Sequence, residues 1–157
     1  MPVRIDSSRF GALQIDESEV IEFPLGLAGL SGSRYALVSG RGAATEHGGV
    51  FRWLHSLEDP ALALPVVDPR RFFPAFVLEI APEDGVRTGL RDLAAARLYV
   101  TVRASPDPAA ITVNLRAPLV ILANAGYQVI NTAPGAELRT PLFDPPAAPA
   151  RPRSDAA

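Results

Sequence analysis

His47 and His55 are the two imidazoles of this 157-residue chain, and imidazole is the side chain best suited to moving a proton near neutral pH. They stand eight residues apart with no third ligand at a spacing that would fix a metal, so the sequence offers no metal centre. Three carboxylates follow closely. Glu58, Asp59 and Asp68 would converge near His55 if residues 51–57 and 62–67 formed a hairpin, and such a cluster supplies the groups of a small acid/base hydrolase. Against that reading, Asp59 and Asp68 each precede a proline, where an aspartate already serves to cap a turn. His55 lies on the apolar row of its strand, where a hydrogen-bonded, buried imidazole is the ordinary outcome. Residues 29–33, GLSGS, fall short of a nucleophile elbow because Ser33 replaces the final glycine. Residues 40–45, GRGAAT, carry two glycines of a dinucleotide fingerprint but neither the third nor a following helix, which makes a flexible loop the simpler reading.

Composition removes further classes. Cysteine is absent, and with it disulfides and thiolate chemistry. All fifteen basic residues are arginine, so neither a Schiff base nor a Walker lysine is available. A net charge of −2 with acids and arginines interspersed leaves no basic stripe for phosphates, and direct nucleic-acid binding is not expected. The opening MPVRIDSSRF has no apolar h-region, and no apolar run approaches the roughly 20 residues of a membrane span, so a cytoplasmic protein without membrane contact is expected. No cofactor is implied.

Binding chemistry remains. In DPRRFFP, residues 68–74, Arg70 and Arg71 precede Phe72 and Phe73 between two prolines, an aromatic and arginine composition common at interface hot spots. The competing reading drops one or both rings into the core, since phenylalanine buries readily. Carrying the alternation of the following segment back through Pro74 puts Phe72 inside and Phe73 outside, with Asp68 orienting the turn.

The elements that must position these residues are strands. Apolar residues alternate in short runs broken by Gly, Pro and Asp, and Asp-Pro punctuates the chain four times. Strands are predicted at 12–15, 20–23, 35–39, 51–57, 62–67, 76–80, 98–103 and 111–116. Pro65 cannot donate to a ladder, which makes its strand an edge or a bulge. Rows such as Phe51, Trp53, His55 and Leu57, or Leu98, Val100 and Val102, form a dry face, while Tyr99, Thr101, Arg103, Thr112, Asn114 and Arg116 form a wet one. An antiparallel barrel or sandwich follows. Residues 119–131 predict a hairpin broken at Asn124-Ala125-Gly126, with Gly126 taking positive φ. One short helix is predicted at 90–96. The ordered domain is expected over residues 1–142, with 143–157 a Pro/Ala-rich disordered tail.

Read together, the segments resemble the flagellar assembly factor FliW family. The resemblance begins at RFGALQIDESEVIEFPLGLAGL and is most specific in WLHSLEDPALALPVVDPRRFFP, where Trp53, Asp59, Pro60, Asp68, Pro69, Phe72 and Phe73 fall on the family pattern. It continues through Asn114, Leu115, Ala117 and Pro118 to Gln128-Val129 and Arg139-x-Pro141-Leu142, while His55 stands where glutamine is usual. The resemblance implies an all-β, mostly antiparallel, small β-barrel-like domain with at most one or two short helices and no catalysis. It also implies a cytoplasmic partner switch: such a protein binds flagellin near its C-terminal region and, once free, binds the RNA-binding regulator CsrA and relieves repression of flagellin translation without touching RNA. Combined with the exposed-loop reading, it points to Asp68, Arg70, Arg71, Phe73, Asn114 and Arg116 as protein-binding residues.

Overall fold

The computed structural model describes residues 2–39, 51–90 and 93–143. Alternating runs between turn formers become eleven strands: β1 (Val3–Ser7), β2 (Gly11–Ile15), β3 (Val20–Glu22), β4 (Arg34–Val38), β5 (Arg52–Ser56), β6 (Ala63–Val67), β7 (Arg97–Arg103), β8 (Thr112–Val113), β9 (Leu119–Leu122), β10 (Ala125–Gln128) and β11 (Thr140–Pro141). Among the described residues, two short helices, α1 (Pro69–Phe72) and α2 (Pro82–Thr88), each carry a proline at the first turn, where its missing N–H is no loss. The neighbours β3, β4, β5, β6 and β7 pair in sequence, β7 also pairs with β9, β9 with β10, and β10 returns to β3. The result is a closed seven-stranded barrel. Strands β8 and β11 extend the sheet from the end of β7, and β1–β2 is a separate hairpin.

Closure is narrow. Between β10 and β3 the parallel ladder is one pair, Ala125 with Glu22, supported by Glu22 N–H donating to Asn124 O at 2.8 Å. The Asn124 side chain adds what the short ladder lacks, its Nδ2 donating to Ser18 O at 2.7 Å and Val20 O at 2.9 Å. The predicted hairpin is present, but the turn sits earlier than expected. Ala123 takes the positive φ, at 52°, and Gly126 lies within β10. Gly126 is needed for space: a Cβ there would come 2.5 Å from Cε2 of Phe23, a fully buried ring of the barrel interior.

The rows keep their phase, and the dry row of β7 is buried as expected, but on the outer wall and not in the barrel interior. Leu54, on the row with Arg52 and Ser56, fills the barrel interior with Ile21, Phe23, Tyr35, Val66 and Leu119. Tyr99, assigned to the wet row, packs on that same cluster. The dry row Leu98, Val100 and Val102 instead faces outward, covered by Phe72, Phe73, Phe76, Leu78, Ile80, Leu90 and Leu93 and by Phe143. Likewise His55 points out of the barrel onto the β1–β2 hairpin, which covers Ala36 and Val38. Alternation fixes which residues share a face but not which face is the inside, and here both are covered because the chain wraps its own barrel.

Other expectations change for local reasons. Residues 76–80 alternate as predicted, with Phe76, Leu78 and Ile80 packed inward. They form no ladder beyond an Ile80–Asn131 bridge, because Asn131 holds the segment through its side chain, accepting from Glu79 N–H and donating to Val77 O. The helix predicted at 90–96 is not found among the described residues; α2 instead precedes that stretch, bounded by Pro82 and an αL Gly89. Strand β6 is internal, not an edge. Pro65 is tolerated because it stands opposite Trp53 on β5 while the ladder to β7 takes up only Val66 and Val67. Phe143, expected in the tail, packs edge-on against Phe72 with ring centroids 6.0 Å apart. Residues 144–157, like His47 and the GRGAAT stretch, lie outside the described residues.

Candidate functional site: a protein-binding surface

The proposed acid/base cluster is taken apart by turn formation. His55 is fully buried, with Nδ1 2.7 Å from Ser56 O and Nε2 2.7 Å from Ser7 Oγ. A carbonyl can only accept, so Nδ1 carries the proton and Nε2 accepts from the Ser7 hydroxyl. Ser7 Oγ in turn accepts from the N–H groups of Arg9 and Phe10, which ties the β1–β2 turn to β5. Among the described residues, no carboxylate is hydrogen-bonded to this imidazole. Glu58 Oε1 instead accepts from Ser33 N–H at 2.7 Å and Arg34 N–H at 3.2 Å, and these two donors hold its carboxyl below the usual range. A side chain at Gly32 would meet that oxygen at 2.7 Å, so the second glycine of GLSGS serves this approach. Asp59 accepts from Ala61 N–H. Tyr35, pushed up by burial and by the neighbouring Glu58 and Asp59, donates its hydroxyl to Ser31 O.

The DPRRFFP segment forms a knuckle on the outer wall. Asp68 caps α1 by accepting from Arg70 N–H at 2.9 Å and pairs with the Arg70 guanidinium at 3.2 Å, as the Asp-Pro signal predicts. Arg71 projects into solvent with no side-chain partner among the described residues. The two phenylalanines do not divide into one inner and one outer ring. Both are half-buried on the cluster of Val67, Val100, Val102 and Val113. A period of two cannot be carried through a helical turn, and α1 brings Phe72 and Phe73 down on the same wall.

Asn114 and Arg116 lie elsewhere. Asn114 Oδ1 accepts from the N–H groups of Arg116 and Ala117, which fixes the turn after β8, and the Arg116 side chain is exposed. Asn114 belongs to the rim of a groove of about 710 Å³ at the barrel mouth. Leu27, Leu30, Leu64 and Leu119 form its floor. Across it, the Gln128 amide accepts from Ala28 N–H at 3.0 Å and donates to Ala117 O at 3.2 Å, clamping two loops of the mouth together. Arg103 and Arg139 complete the rim. The sequence reading assigned none of Gln128, Arg103 and Arg139 to a site, although Gln128 and Arg139 stand in segments that carry the family resemblance.

No group of three or more His, Cys, Asp or Glu among the described residues is arranged to hold a metal ion. No helix there is long and apolar enough to cross a membrane. What the surface offers is shape, exposed arginines and half-buried aromatics, which suits recognition of another protein.

Comparison with known proteins agrees in extent with this barrel. The profile of the family described as "FliW protein" matches residues 4–142. A flagellar assembly factor FliW of Syntrophomonas wolfei is 32% identical over 145 residues, covering 91% of this chain and 90% of that protein. One from Geotalea uraniireducens is 32% identical over 119 residues, covering 76% of this chain and 70% of its own length. A crystal structure of the flagellar assembly factor FliW superposes with a TM-score of 0.76 at 25% identity, covering 91% of this chain and 99% of that one.

Proposed function

Because this chain belongs to the FliW family of flagellar assembly factors, we propose that it acts in the cytoplasm as a partner switch, holding flagellin and, when free, binding CsrA to relieve repression of flagellin synthesis. The observation that carries this reading is the family match over residues 4–142, which spans the barrel, its β1–β2 cover and the α1 knuckle together. Two complexes that exclude or antagonise one another are sufficient for such a switch, since the free pool of one partner then reports on the other.

On the outer wall we assign contact to Arg71, Arg116 and the exposed part of Phe73. Asp68 and Arg70 hold the knuckle that presents them, and Asn114 fixes the turn that carries Arg116. The test is a mobility-shift titration with a flagellin-leader RNA. The protein alone should shift no RNA, and increasing amounts should release RNA from CsrA. Retention of the CsrA–RNA complex at saturating protein refutes the reading. Added flagellin should restore repression, and a competition pull-down distinguishes mutually exclusive from simultaneous binding.

A further inference from the structure

Among the described residues, the groove at the barrel mouth is bordered by arginines and not by carboxylates. Arg4, Arg34, Arg70 and Arg87 each lie within ion-pair distance of a carboxylate: Asp6, Glu22, Asp68 and Asp84. Arg103 and Arg139, on the groove rim, have no side-chain partner among the described residues. Among the described residues, no carboxylate lines the groove. Glu137, beside it in sequence, contributes its backbone carbonyl to Leu115 N–H. A chain of net charge −2 thus gathers two unmatched cations around a leucine floor. Leu138, 59% exposed, adds an apolar lip between them.

The nearby sheet edge narrows the mode of binding. Strand β11 is the last of its sheet, and Pro141 has no N–H to give an added strand. An occupant is therefore held by side chains and not by extension of the ladder. We propose that this groove docks an acidic amphipathic segment of a protein partner, its apolar side chains on Leu27, Leu30, Leu64 and Leu119 and its carboxylates on Arg103 and Arg139. The proposal rests on the reading that this protein works by binding proteins. Opposite charge at the rim sets orientation and discrimination, while the apolar floor supplies the buried contact.

The test uses fluorescence anisotropy with the full chain and two labelled helical peptides, both with leucine at positions i, i+3, i+4 and i+7. One carries glutamate at the remaining positions and the other lysine. The glutamate peptide should bind the wild type about tenfold more tightly than the lysine peptide, a preference that falls with salt. Arg103→Glu with Arg139→Glu should reverse the preference, Arg103→Gln with Arg139→Gln should abolish it, and Leu138→Asp should weaken both peptides. All three residues exchanged at the rim are exposed, and thermal melting checks that each variant is folded. Equal binding of the two peptides, no binding, or an unchanged preference in the double variants overturns the proposal. Direct binding of flagellin and CsrA is measured in parallel. Loss of both with retained peptide discrimination counts against the functional reading alone.

Discussion

Gly126→Ala places a methyl group where the Phe23 ring already stands. The new Cβ would lie 2.5 Å from Cε2, 2.6 Å from Cζ and 3.0 Å from Cδ2, all well inside contact distance. Its φ is not in the left-handed region, so without the ring alanine would be gained at little cost and would stabilise the chain by about 0.4–1 kcal/mol through the unfolded state. The ring has little room to retreat, because Phe23 is fully buried and packs edge-on against Tyr35 with centroids 5.5 Å apart. Overpacking of this kind costs about 1–3 kcal/mol and outweighs the entropic gain. A net loss of about 1 kcal/mol corresponds to a fall of roughly 2–4 °C in Tm for a domain of this size. The assay is thermal and urea unfolding of wild type, Gly126→Ala, Phe23→Leu and the double variant. Since Phe23→Leu removes the ring atoms that clash, the double variant should lose less than the sum of the singles, with a coupling of about 1 kcal/mol or more. A Gly126→Ala variant that melts at or above the wild type, or a cycle with no coupling, would refute the steric account.

Ser7→Ala leaves His55 Nε2 and the N–H groups of Arg9 and Phe10 without their common partner, and should cost about 1–3 kcal/mol in urea unfolding. Phe72→Ala and Phe73→Ala should both lower stability, by about 1–3 kcal/mol each since each ring is half-buried, and a Phe73→Ala chain that melts like wild type would restore the outward assignment. Burial would push the Asp84 carboxyl up, but donation from Ile130 N–H and from Arg87 outweighs it and the group titrates below 3.8. The unfolded chain therefore takes up the proton first as pH falls, so the contribution of Asp84 is full above that value and lost below it. Asp84→Asn should flatten the acid limb of a Tm against pH curve, and an unchanged limb would remove Asp84 as its cause.

The alternation of β5 and β7 was legible in the sequence to the residue, yet its inside and outside were not. Leu54 and Tyr99 enter the barrel only because other segments cover the opposite rows, and a row's burial depends on partners distant in sequence. Turn chemistry was read more reliably, since Asp68, Asp59 and Asp107 cap their own neighbours, as a local signal should. The α1 turn defeated the inner and outer division of Phe72 and Phe73 for the complementary reason: four residues of helix break the period of two on which the division rested. The groove is not legible in the sequence because it is assembled from the β3–β4 loop, β6, β7, β8, residues 117–119, Gln128 and the 138–139 segment, with no contiguous motif to betray it. Gly126 was singled out correctly as special, but for rotation freedom when the need was room.

The seam between β3 and β10 sets the order of events in folding. Most other barrel contacts join strands separated by a hairpin, whereas Asn124 reaches Val20 across 104 residues of chain. Ordering a loop of that length costs entropy before the contact returns anything, and one parallel pair returns little by itself. The seam thus closes after the hairpins have formed, when the Asn124 amide and the Phe23 ring over Gly126 can engage together. Cylinder and open sheet are separated here by a handful of hydrogen bonds, and native-state amide exchange at Glu22 reads how often that latch is undone.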